Sequence, residues 1–67
     1  MKLYVIEVFQ GADIELSGPH GTEKDRIRAA QSFVDESPED HDIFRLDIDE
    51  SGEPSVSVFL GTEIERP

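Results

Sequence analysis

The sequence predicts an α+β fold, a single helix packed on a small three- or four-stranded antiparallel sheet in β(β)αββ order. Three observations lead there. Several short stretches alternate polar and apolar with period two, one stretch repeats its apolar residues at spacings of three and four, and Gly, Pro, Asp and Ser clusters separate them. Residues 1–67 form a single small domain, with 61–67 a short C-terminal tail. A chain of this length buries only about 60% of its unfolded surface, so the core must be thin. Leu3, Val5, Ile6, Phe33, Phe44, Leu46, Ile48, Val56 and Val58 are the expected core.

Residues 2–9 are rich in the β-branched and aromatic types that fit a pleated, half-buried surface, and form the first strand. After Gln10-Gly11-Ala12, Asp13 to Ser17 alternates with period two, which predicts a short strand returning as a hairpin. The competing reading is an irregular connection from Gln10 to Gly21, although unstructured loops of about 12 residues are uncommon in compact domains. Gly18-Pro19-His20-Gly21 then breaks the chain. Thr22 followed three residues later by Asp25 matches a capping pattern, and a helix over 23–36 should start there. Ile27, Ala30, Phe33 and Val34 make its buried stripe, with Lys24, Arg28 and Asp35 turned to water. Pro38 ends it, because a proline restricts Ser37 and cannot donate a backbone hydrogen bond.

From Asp42 to Asp49 the alternation returns, with Phe44, Leu46 and Ile48 on one face and Arg45, Asp47 and Asp49 on the other. Residues 49–54 make a turn, and Ser55 to Leu60 comes back as the second arm of a hairpin with Val56, Val58 and Leu60 on a common face. Phe59 has the opposite parity, where it packs under the tail or serves as a contact point. In the tail, Ile64 is the only anchor.

Charge is the strongest functional signal. Sixteen acids against six bases give a net charge of -10, which excludes direct binding to nucleic acid or to anionic membranes, since both require a basic face. The surplus is localised. Residues 1–34 and 54–67 each net -1, whereas residues 35–53 carry Asp35, Glu36, Glu39, Asp40, Asp42, Asp47, Asp49, Glu50 and Glu53 against Arg45 alone. Asp35 and Glu36 fall at the helix C-terminus, where the macrodipole disfavours anions by about 0.3 to 1 kcal/mol each. Asp47 and Asp49 share a strand face about 6.6 Å apart. Repulsion of this kind works against stability, so the cluster points to a partner. An acidic strip that imitates the phosphate backbone would occupy the basic groove of a nucleic-acid-binding protein, because guanidinium groups grip carboxylates as they grip phosphates. The expected contact residues are those nine carboxylates, with Phe59 as an apolar anchor that slows release.

A very small, strongly acidic, cysteine-free domain with one helix on a short antiparallel sheet resembles the anti-CRISPR proteins of phages and mobile elements, in particular the acidic inhibitors of type I effector complexes, type I-C among them. The resemblance lies in size, charge and order of elements. It implies a non-catalytic inhibitor that covers a DNA-contact surface of a CRISPR effector subunit in the host cytoplasm, and it transfers no individual residue.

Other readings stand beside this one. A halophilic protein carries a similar composition, and a generic acidic module, antitoxin- or adaptor-like, would also meet a basic partner. Asp47 to Gly52 resembles the opening of a calcium-binding loop, but position twelve is Val58 and the flanks are strands, so no metal is expected. Ser17 to Thr22 is a glycine-containing lead into a helix but lacks the P-loop lysine. His20 and His41 have no neighbour at ligand or catalytic spacing, and so small a domain encloses little pocket, so neither enzyme activity nor a cofactor is expected. With no cysteine, the chain suits a reducing, cytoplasmic setting, and its N-terminus reads as a strand rather than a leader. A one-helix sheet leaves its second face uncovered, so both monomer and homodimer are open, with Ile43 or Phe59 the residues expected between two copies.

Overall fold

A computed structural model of the chain describes residues 1–9, 13–36 and 41–65. It shows the expected α+β architecture, with β1 (Lys2–Phe9), β2 (Ile14–His20), α1 (Glu23–Glu36), β3 (His41–Ile48) and β4 (Pro54–Val58) in chain order. The four strands make one antiparallel sheet in the order β2-β1-β3-β4. Both hairpins are therefore nearest neighbours, and the helical connection carries the chain from the β2 edge back to the inner position beside β1.

The helix occupies the expected residues for the expected reason: Asp25 N donates to Thr22 Oγ1 at 3.1 Å, which satisfies one of the orphan amides of the first turn. The β3–β4 turn is equally well specified. Gly52 N donates to Asp49 O at 3.0 Å, Asp49 N donates to Glu53 O at 3.1 Å, and Gly52 takes a φ of 86°. That is a three-residue hairpin loop closed by a glycine in the left-handed region.

β2 departs from expectation. The strand does not stop at Ser17 but continues through Gly18-Pro19 to His20, with an irregularity in its pairing between Leu3 and Val5 that takes up one extra residue on β2. Gly18 permits this, with a φ of 130° and its α-carbon so close to β1 that a Cβ would lie 2.8 Å from Leu3 O. The Gly18–Pro19 peptide is cis. The sequence reads as a break, and the backbone uses it as a bulge.

The larger correction concerns which face of the sheet is covered. Val5, Ala30, Val34, Ile43 and Ile64 form the buried core, with Ile27, Ala29, Phe33 and Phe59 packed against it. The helix thus lies on the face bearing odd-numbered residues of β1 and β3. The even face, which holds most of the expected core, is open. Its side chains line up in cross-strand rows: Leu16-Ile6-Phe44-Val58, Tyr4-Leu46-Val56, Ile14-Val8-Asp42 and Lys2-Ile48-Pro54. Val56 and Val58, expected inside, are 59% and 62% exposed. Ile43, expected between two copies, is buried under the helix.

The C-terminal segment is more than a tail. Leu60 to Ile64 forms a turn in which Glu63 N donates to Leu60 O at 2.9 Å. The side-chain amide of Gln31 then clasps the backbone of Glu65, donating to its carbonyl at 2.9 Å and accepting from its amide at 2.7 Å. Ile64 is the anchor, as expected, and is buried.

Candidate acidic binding surface

The helix side of the sheet is held by charge as well as by apolar contact. Arg26, at 1% exposure the largest fully buried side chain, lies on the same helical stripe as Ala30 and Val34. Its guanidinium pairs with Glu23 and Asp47 and donates to Leu46 O at 3.3 Å. Beside it Arg45 joins Glu23 at 2.6 Å and Glu63 at 2.5 Å, and stacks over the Phe59 ring with 5.4 Å to the centroid. Burial alone would lower the Arg26 pKa, but hydrogen bonds to Asp47 and Glu23 outweigh it and raise the value, so the buried group stays charged. Glu63 is held below the usual carboxylate range, first by the Leu60 amide and then by Arg45.

This network redistributes the expected contact residues. Asp47 is withdrawn from the surface strip because it is the counter-ion of a buried arginine, and pairing offsets the desolvation of both. Phe59 is half-buried against the core beneath Arg45 rather than standing free. Asp35 and Glu36 are exposed at the helix C-terminus, where Asp35 accepts a hydrogen bond from Gln31 at 3.1 Å. Asp42 is exposed at the margin of the open face, opposite Val8. Glu39 and Asp40 lie outside the described residues. Asp35, Glu36 and Asp42 therefore belong to one end of β3, and Asp49, Glu50 and Glu53 to the other. From Asp42 to Asp49 the strand rises about 23 Å, so the carboxylates form two groups rather than a single strip.

The group at the β3–β4 turn is the better organised. Asp49 Oδ1 accepts from Ser51 N at 2.9 Å, Ser51 Oγ at 2.7 Å and Glu53 N at 2.9 Å. The Ser51 hydroxyl first, and then the Glu53 amide, hold the Asp49 carboxyl below its ordinary value, so the turn keeps its charge. With the loop fixed, Glu50 and Glu53 project from it into water. Beside them Met1, Tyr4 and Ile48 line a shallow hollow of about 420 Å³ that also touches Lys2, Asp49, Glu50 and Gly52. Asp49 Oδ1 is engaged by donors within its own turn, and among the described residues no His, Cys, Asp or Glu cluster has metal-binding geometry.

No known family, curated protein or solved structure matches the chain. Among the described residues no helix is long and apolar enough to cross a membrane.

Sequence reasoning missed Arg26 and the network it organises. The signal was available: Arg26, Ala30 and Val34 recur at spacing four, which puts an arginine on the buried stripe and requires a carboxylate opposite it.

Proposed function

We propose that the chain is a non-catalytic acidic binding protein that offers the β3–β4 turn to a basic, nucleic-acid-binding surface of another protein and competes there with the phosphate backbone. The observation that carries this reading is the Asp49-capped turn, which holds ionised Asp49 and the exposed pair Glu50 and Glu53 on a fixed loop. Preorganised carboxylates lose little conformational freedom on meeting guanidinium groups, and they accept the paired hydrogen bonds that phosphates accept. The Met1-Tyr4-Ile48 hollow beside the turn gives the same contact an apolar centre. Asp35, Glu36 and Asp42, at the other end, extend the field that steers encounter rather than making the central contact. In this reading Asp47 and Phe59 serve the fold.

A type I CRISPR effector complex is the partner class that the resemblance in size and charge brings forward, with a type I-C complex as the first to test. The experiment is competition between the protein and labelled target duplex for the purified complex, across a salt series. Displacement of DNA should weaken as salt rises, and Glu50→Gln/Glu53→Gln should lose at least about tenfold in potency, equivalent to about 1.4 kcal/mol. Asp49 is spared in that variant because it builds the turn. Displacement that ignores salt, or equal potency of parent and variant, would refute the assignment of the turn; DNA binding unaffected at every concentration would remove this effector as the partner.

A further inference from the structure

The sheet face opposite the helix is finished as an interface, and we propose that it pairs with the same face of a second copy of this chain. The proposal needs no basic partner, but Tyr4 and Ile48 of this face also line the hollow beside the acidic turn, so a second copy and a basic partner would compete for that corner. Its first support is the inversion of the sheet. The rows through Ile6 and Leu46 are continuous apolar bands across three or four strands, yet Leu16 and Ile14 at one edge remain 60% and 68% exposed. Apolar patches that large on a soluble protein mark interaction sites.

Area is the second support. The thirteen residues of these rows, each covering about 4.8 by 6.6 Å of sheet, give a projected face of about 400 Å² per copy. Two copies then cover about 800 Å² of projected sheet, and side-chain relief, which makes accessible area exceed projected area, carries this toward the lower bound of about 1,000 Å² for a specific interface.

Charge identifies the occupant. In a chain of net -10 the strand rows of the open face carry, among the described residues, one charge of each sign, Lys2 in the row of Ile48 and Asp42 in the row of Val8, at opposite margins. Asp49 and Glu50 sit beside the Lys2 margin but off the strand rows, so the rows themselves carry no net charge. A two-fold axis running across the strands lays one sheet on the other in the aligned manner and brings the Lys2 margin of each copy over the Asp42 margin of its mate. The strand rows are thus matched to themselves in apolar character and in the pairing of Lys2 with Asp42.

Sedimentation equilibrium of the full chain over a wide concentration series tests this. The mass should rise from 7.5 kDa toward twice that value. Added salt should tighten the association, because each copy carries the same net charge, whereas binding to a basic partner weakens with salt. Leu16→Glu and Val58→Glu, at exposed positions, should each weaken dimerisation at least tenfold while leaving the circular dichroism of the dilute monomer unchanged. Lys2→Glu should weaken it, and Lys2→Glu/Asp42→Lys should restore it. A chain that stays monomeric at every concentration and salt overturns the proposal, as does a dimer indifferent to both Leu16→Glu and Val58→Glu, which would place the contact at a strand edge instead.

Discussion

Replacing Asp47 by Asn separates a structural carboxylate from a partner-binding one. The change keeps size, shape and one acceptor oxygen but removes the charge that faces Arg26, which is buried to 1% exposure and is left with Glu23 as its paired anion and the Leu46 carbonyl as a neutral acceptor. Removing one member of a buried ion pair costs about 3 to 5 kcal/mol, and because Asp47 is itself 29% exposed and Glu23 persists, a loss of about 2 to 3 kcal/mol is expected. A domain of this size is stable by about 3 to 10 kcal/mol in total, so the loss is a large fraction. The melting temperature should fall by about 10 to 20 °C, from about 4 to 8 °C per kcal/mol for a small domain. Glu50→Gln, on the exposed turn, should move stability by less than about 0.5 kcal/mol. Urea and thermal unfolding followed by far-ultraviolet circular dichroism measure both. The double change Arg26→Met/Asp47→Leu should cost less than Asp47→Asn alone, since an apolar pair leaves no buried charge without its partner. Identical midpoints for Asp47→Asn, Glu50→Gln and the parent would show that Arg26 does not depend on Asp47, and would return Asp47 to the binding surface.

Three further outcomes follow from particular contacts. Gly18→Ala should lower the urea midpoint by an amount equivalent to about 2 kcal/mol or more, because the φ of 130° is strained for any side chain and the new Cβ meets Leu3 O at 2.8 Å; an unchanged midpoint would disprove the close approach. Ile64→Ala should cost about 2 to 4 kcal/mol as a large-to-small core change, and Gln31→Ala about 1 kcal/mol with faster proteolysis after Leu60; a tail equally resistant in both variants would contradict the clasp. The Asp49 carboxyl titrates below its unfolded value, so its contribution is complete above the ordinary aspartate range and is lost as pH falls through it. Parent and Asp49→Ala should therefore differ in melting temperature at neutral pH and converge in acid, and a constant gap would refute the capping role.

Much of the fold was legible because local chemistry and global structure agree. Thr22 starts the helix and Glu36 ends it ahead of Pro38, while Asp49 and Gly52 set the last hairpin in the way a three-residue loop requires. β2 was only half legible, since Gly18-Pro19 is punctuation in a sequence and its use as a bulge depends on the neighbouring β1 strand. The covered face was misread for a physical reason. Alternation in β3 announces two faces, and the more apolar one, Phe44, Leu46 and Ile48, is the natural choice for the core. The helix instead covers Ile43, Arg45 and Asp47, because its own buried stripe includes Arg26 and needs a counter-ion. The same pairing draws Asp47 to the helix side of the sheet, while Asp49, Glu50 and Glu53 come together through turn geometry.

Nuclear magnetic resonance of the ¹⁵N-labelled chain, titrated with a deca-arginine peptide as a cationic probe, addresses the acidic turn most directly. Amide shifts concentrated on Glu50 to Glu53 and the adjoining Tyr4 and Ile48, fading as salt is raised, are the expected result. Shifts centred on Asp35 and Glu36, or spread evenly over every exposed acid, would contradict the assignment of the turn as the gripping surface.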